Sequence, residues 1–212
     1  MVFIDKTNIP AVFTETKRRC PTYDMLHEED KNPLKEVLIN EQGGVCAYCM
    51  SRIKMSNSTI EHFIPQHGPN GDISLSMDYR NMFAVCTQTR CQKEQNKTCD
   101  DKKEDSLITI NPSHRSDIDQ IKYSSSGKIY SERKDFDSDL NNTLNLNQAT
   151  LINNRKAAIE KVICEISSKK NGKWTSRTLQ NRIDKYNNEY PKRPYYGAII
   201  YFLKKRLKRV ST

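Results

Sequence analysis

The stretch CAYCMSRI, Cys46 to Ile53, is followed shortly by IEHFIPQ, Ile60 to Gln66. A Cys-x-x-Cys turn brings two thiolates onto one metal ion. Zinc takes four ligands, so this reading requires a second pair from elsewhere in the chain. Cys86, Cys91 and Cys99 are the candidates, spaced Cys-x4-Cys-x7-Cys. A thioredoxin-like redox pair would need a flanking βαβ pattern, and the sequence has none. The isolated Cys20 and Cys164 read as small core hydrophobes. The odd total of seven cysteines argues against a closed disulfide framework.

Outward from that stretch, NPLKEVLINEQGG reads as a short helix. Pro33 suits its first turn, Leu34, Val37 and Leu38 form a stripe, and Gly43-Gly44 stops it. From Val45 to about Ile64 two short strands are expected, with the turn-rich MSNSTI between them. HGPNGDISLSM is loop, NMFAVC a short apolar strand, and CDDKKED the opening of a helix with its acids at the positive end of the dipole. IKYSSSGKIYSE reads as a β-hairpin with a Ser-Gly turn.

After about Asp135 the pattern turns helical. Leu151, Ile152, Ile159, Val162, Ile163 and Ile166 fall close to one helical face within NQATLINNRKAAIEKVICEISSK. TSRTLQNRIDKYNNEY and PYYGAIIYFLKKRLKRV read as two further helices, the second with Pro194 near its start. The expected organisation is an N-terminal segment at 1–32, a cysteine-bearing unit at 33–134 and a helical region at 135–212, the last a natural docking surface for a partner.

Thirty-five Lys and Arg against 26 Asp and Glu leave a formal charge of +9, which favours a polyanionic partner such as nucleic acid. The excess gathers in the closing YFLKKRLKRVST, which suits a solvated helix face as well as a phosphate contact. No run approaches the roughly 18 apolar residues of a membrane span. The first residues, MVFIDKTNIPAVF, do not have the pattern of a signal peptide, so a cytoplasmic location and no membrane partner are expected.

Between the cysteine pairs lie Glu61-His62, Asn81 in DYRNMFAVC, and Asp100 in CDDKK. Cys-x-x-Cys, Glu-His-x-x-Pro, an internal Asn, a third Cys, and a Cys followed by Asp and then Lys together resemble the HNH endonucleases. More narrowly, QGGVCAYCMSRI, LSMDYRNMFAVC, TLNLNQATLINNR and PYYGAIIYFLKKRL resemble the PtuB-type nucleases of Septu and retron antiphage systems. The resemblance implies an α+β fold, a ββα-metal finger with structural zinc followed by a mostly helical C-terminal region. It implies zinc on Cys46, Cys49, Cys86 and Cys99, with Cys91 in an insertion. His62 becomes the base, Asn81 the brace of the loop that orients it, and Glu61 and Asp100 ligands of a catalytic Mg²⁺ or Mn²⁺. Lys103 is the expected contact to a substrate phosphate. An ABC-type ATPase of the PtuA kind is the implied partner, with a retron reverse transcriptase and its msDNA as further candidates.

The residue types suit that chemistry. Phosphodiester hydrolysis needs a base for water and a cation for the leaving oxygen. An imidazole of pKa near ~6.5 serves the first need at cellular pH, and carboxylates holding a hard ion serve the second. Adjacent residues on a straight strand face opposite ways, so Glu61 and His62 share a site only if the strand ends or bends there; Pro65 makes an ending plausible. Two alternatives stay open: a zinc-knuckle binding module without catalysis, and a ribonuclease. The phosphate chemistry of DNA and RNA is the same, and no base-reading motif is present.

Overall fold

The computed structural model describes residues 1–168 and 174–210. Lys169, at the end of the first helix expected in the tail, and Ser211 and Thr212 of the basic terminus lie outside the described residues. Two helices, α1 (Ala11–Arg19) and α2 (Glu28–Glu41), precede an antiparallel pair of strands, β1 (Ser58–His62) and β2 (Met82–Cys86). Two single-turn helices follow, α3 (Asp100–Lys103) and α4 (Arg115–Ile118), and then a second two-stranded ribbon, β3 (Lys122–Tyr123) with β4 (Ile129–Tyr130). The rest is helical: α5 (Lys134–Ser138), running into a π-helical stretch at Asp139–Thr143, then α6 (Ala149–Ser167), α7 (Ser176–Asn188) and α8 (Tyr196–Val210). The fold is therefore mixed, with small sheets and a helical C-terminal region. Among the described residues no helix is long and apolar enough to cross a membrane.

Three local expectations need correction. Helix α2 starts at Glu28, not beside Pro33, because Asp30 accepts from the His27 backbone N–H and three acids fill the first turn. Pro33 consequently sits inside the helix, where it forgoes one backbone bond. The helix stops where expected. Gly44 N–H bonds Ile39 O at 2.8 Å and Gly43 N–H bonds Asn40 O at 2.9 Å, with both glycines at positive φ.

The second correction is at Val45, which makes only an isolated bridge to Arg52 rather than a strand. The intervening residues are spent on a tight turn, with Met50 at φ 63° and its N–H on Cys46 O at 3.0 Å. The buried Gln42 takes the place a strand neighbour would have. Its carboxamide accepts from Ala84 N–H at 2.8 Å and donates to Ala84 O at 2.7 Å, tying α2 to β2. The third correction is at α3, a single turn bounded by Cys99 and Glu104, both at positive φ. Such non-glycine residues persist only where surrounding contacts hold them.

One apolar core joins the N-terminal residues Met1 and Ile4 to Leu38, Tyr48 and Phe83 of the centre and to Leu144, Leu151 and Ala198 of the helical region. A smaller cluster, including Val162, Ile166, Leu179, Ile183 and Leu203, cements α6, α7 and α8. Helix α6 spans both, with Leu151, Ile159, Val162 and Ile166 buried as the 3.6-residue period predicts; Ile152 and Ile163 are half-buried. Arg155 is buried on the same stripe, which hydropathy gives no reason to expect.

Candidate metal centre and active site

Four cysteines converge from three places: the turn after Val45 (Cys46 and Cys49), the end of β2 (Cys86) and the residue that precedes α3 (Cys99). All are buried and none is in a disulfide. The sulfurs of Cys49 and Cys86 lie 3.6 Å apart, those of Cys86 and Cys99 3.7 Å, and those of Cys46 and Cys99 3.8 Å. Tetrahedral Zn–S bonds of about 2.3 Å place sulfurs about 3.8 Å apart, whereas a disulfide would bring two to about 2.05 Å. The spacing is that of a metal's coordination shell.

Backbone N–H groups support the sulfurs, Cys86 N on Cys46 Sγ and Ser51 N on Cys49 Sγ, each at 3.4 Å. Hydrogen bonds from Cys46, Cys86 and Cys99 pull the Cys49 thiol well down; Cys46 and then Cys49 push Cys86 up against a hydrogen bond from Cys99, and Cys46, Cys49 and Cys86 push Cys99 up. Packed thiols resist ionising together, and a divalent cation removes that resistance. The donor set fits zinc. Cys91 is exposed and outside the cluster, Cys20 is half-buried, and Cys164 is exposed rather than in the core.

A second cluster begins one peptide bond away, at Asp100. The Glu61 carboxyl is buried and 2.8 Å from the Lys103 ammonium; Tyr48 O–H donates to it at 3.1 Å. Burial raises the Glu61 carboxyl well above the carboxylate range, the Asp100 charge and hydrogen bond add to this, and Lys103 opposes it. A cation bound beside Glu61 and Asp100 would offset the repulsion between their charges. A pair of carboxylates with open positions for water and phosphate is how Mg²⁺ is commonly held. Among the described residues, only the four cysteines form a group of three or more such donors.

His62 ends β1 opposite Met82, and the chain turns away after it, with Phe63 N–H on Asn81 O at 2.8 Å. The strand thus ends where Glu61 and His62 need it to, and Asp100 exerts its charge on both. The His62 ring is buried edge-on to Tyr23, centroids 4.6 Å apart. Its Nε2 meets the Ser76 carbonyl at 3.0 Å; a carbonyl only accepts, so Nε2 carries the proton and Nδ1 is the basic nitrogen. The Gln66 amide caps Nδ1 at 3.2 Å. Burial is the main cause holding His62 below the ordinary histidine value. Lys103 acts in the same direction, against the Ser76 carbonyl and Asp100.

Asn81 clamps the loop between His62 and β2. Its amide donates to Ile64 O at 3.0 Å and Leu75 O at 3.2 Å and accepts from Ile64 N–H at 2.7 Å. Lys103 does not stand where a substrate phosphate would meet it. Its side chain is fully buried, engaged by Glu61 and by the His62 carbonyl at 3.3 Å. Asp100 keeps 22 % side-chain exposure, enough to reach a ligand from outside. Tyr48, Gln66 and Ser76 complete the cluster and were not singled out by the sequence, although Tyr48 lies inside the Cys-x-x-Cys turn.

The chain matches no protein-family model. It is 27% identical over 165 residues to a protein of Vibrio cholerae serotype O1 biovar El Tor named as a candidate HNH endonuclease of retron Vc95. The match covers 74% of this chain and 77% of that protein.

Proposed function

We propose that the chain is a metal-dependent HNH-type endonuclease, the PtuB-like effector of an antiphage system. In this reading β1, β2 and the single turn of α3 form a shortened ββα-metal finger. The observation that carries it is the buried Glu61 carboxyl, on which Asp100 acts, beside a buried imidazole whose Nε2 is fixed on the Ser76 carbonyl, leaving Nδ1 as the basic nitrogen under the Gln66 amide. The similarity to a retron protein named for this activity points the same way.

Cys46, Cys49, Cys86 and Cys99 would hold the structural zinc, and Glu61 and Asp100 a Mg²⁺ or Mn²⁺. That ion, when bound, supplies charge stabilisation for the departing oxygen. His62 takes a proton from water at Nδ1, the position now capped by Gln66, while Ser76 keeps the ring in the required tautomer. Asn81 fixes the loop carrying Ser76 and Gln66. Lys103 acts as a positioning residue, holding the Glu61 carboxylate toward Asp100. The zinc clip sets Asp100 directly, because Cys99 is its neighbour.

The sequence contains no Gly-x-x-x-x-Gly-Lys, so ATP-dependent control would come from a partner, and we propose an ABC-type ATPase of the PtuA kind. Incubating the protein, alone and with an ABC-type ATPase of that kind, with plasmid DNA and total RNA tests both proposals. Cleavage in Mg²⁺ that EDTA abolishes is expected, with a rate that changes when the ATPase is added. Binding of either nucleic acid without cleavage under every condition would favour a zinc-knuckle module, and cleavage of RNA alone would make the enzyme a ribonuclease.

A further inference from the structure

Away from both clusters, α8 and the turn of the β3–β4 ribbon enclose a cavity of about 250 Å³. One wall is a helical face. Tyr201, Lys205 and Arg209 follow each other at four-residue steps, with Phe202 and Arg206 in the adjoining row. The facing wall is formed by Ser124 and Ser125, the Ser124 hydroxyl being engaged by Ser126 Oγ and the Lys128 N–H within the turn. Among the described residues none of Lys205, Arg206 and Arg209 forms an ion pair, although the neighbouring helices pair Lys156 with Glu160, and Arg182 and Arg193 with Glu165. The Arg206 guanidinium is steadied over the Trp174 ring, 5.4 Å from its centroid.

The serine wall is rigid for a traceable reason. Gly127, at φ 88°, is pressed so close to α6 that a Cβ there would lie 2.2 Å from Ile152 O. The buried Arg155 completes the attachment. It donates to Gly127 O at 2.6 Å, Leu146 O at 2.7 Å and Asn147 Oδ1 at 3.2 Å. Tyr201 is braced from beneath by Tyr123, ring centroids 5.8 Å apart. Three cations without a carboxylate partner among the described residues and two half-exposed rings therefore line one hollow.

We infer that this cavity grips one nucleotide of a single-stranded nucleic acid, with Lys205, Arg206 and Arg209 on its phosphates and Tyr201 or Phe202 against its base. The cations without carboxylate partners ask for an anion, and the aromatic rings beside them ask for a planar group. Together these are the parts of a single-strand site. The volume falls below the roughly 300–1,000 Å³ of sites that enclose a small molecule, so a unit of a longer strand fits better than a free ligand. The inference extends the nuclease reading, but it concerns binding and stands or falls whether or not the strand is cut.

The test is fluorescence anisotropy with a short fluorescein-labelled single strand, in DNA and RNA arms, in EDTA so that no cleavage enters. Lys205→Ala/Arg206→Ala/Arg209→Ala is compared with Arg18→Ala/Lys161→Ala/Lys185→Ala, which removes the same charge from exposed positions elsewhere. The cavity variant should lose about tenfold or more in affinity, and its slope of log K against log salt should fall by about 2, three contacts at ~0.7 each. The control should lose far less. An abasic strand should narrow the gap between wild type and a Phe202→Leu variant, since neither can then stack. Equal losses in the two triple variants would reduce the effect to net charge and overturn the inference. So would unchanged strand affinity in the cavity variant alongside lost capture of a protein partner, which would make this a protein-docking face.

Discussion

The sulfur cluster and the carboxylate–imidazole cluster meet at the Cys99–Asp100 peptide bond, yet they are built differently. The first is closed: four like donors, all buried, their sulfurs within 4.8 Å of one another, with backbone N–H groups behind two of them. The second is uneven and open. It has one buried carboxyl, one partly exposed carboxyl, a buried ammonium and an imidazole whose basic nitrogen is capped by the Gln66 amide. A saturated shell holds structure, and an unsaturated one leaves room for substrate. The shared peptide bond makes the closed centre the support of the open one, since the φ 58° conformation of Cys99 aims Asp100.

The largest effect should follow from breaking the closed centre. Cys99→Ser should lose the zinc measured by elemental analysis. Much of the stability should go with it, because structural zinc contributes on the order of 10 kcal/mol in small finger peptides. Cleavage should be lost too, since Asp100 loses its anchor. Full zinc content in Cys99→Ser together with its loss in Cys91→Ser would overturn the ligand set and the comparison built on it.

A smaller effect sharpens the description of the open centre. Burial disfavours the imidazolium, so His62 stays neutral to lower pH than a free histidine, and a cation on the adjacent carboxylates would act in the same direction. The acid limb of kcat/KM should accordingly lie below pH ~6.5, the ordinary histidine value. A limb at or above that value would mean that His62 is not the group being titrated, or that the working site is not the buried one described.

The two centres also differed in how far the sequence revealed them. Cys46 and Cys49 announce themselves by spacing; residue type left Cys86, Cys91 and Cys99 as candidates, and the resemblance chose Cys86 and Cys99 among them. Soft donors in a chain without a disulfide framework have few other uses. Glu61, His62, Asn81 and Asp100 were singled out through a family resemblance. The structure brings Glu61, His62 and Asp100 together, with Asn81 clamping the loop beside them. Gln66 and Ser76 were not legible, because their contacts depend on how the loop after His62 folds back, and no periodicity encodes that path. The burial of Lys103 and Arg155 was not legible either, because each is held by acceptors distant in sequence. In the fold, the long helices were readable from their apolar period, whereas Pro33 and Val45 showed that caps and tight turns override it.

The central claim is that His62 supplies the base while Glu61 and Asp100 hold a divalent ion, and a metal titration of two variants tests it most directly. His62→Ala and Asp100→Ala should each cut the cleavage rate sharply, by about 10²–10⁴-fold for the base, with zinc content and nucleic-acid affinity retained. Raising Mg²⁺ or Mn²⁺ should recover part of the activity of Asp100→Ala, whose defect is affinity for the ion, and none of that of His62→Ala. Cleavage at the wild-type rate by His62→Ala, or its rescue by metal alone, would contradict the mechanism.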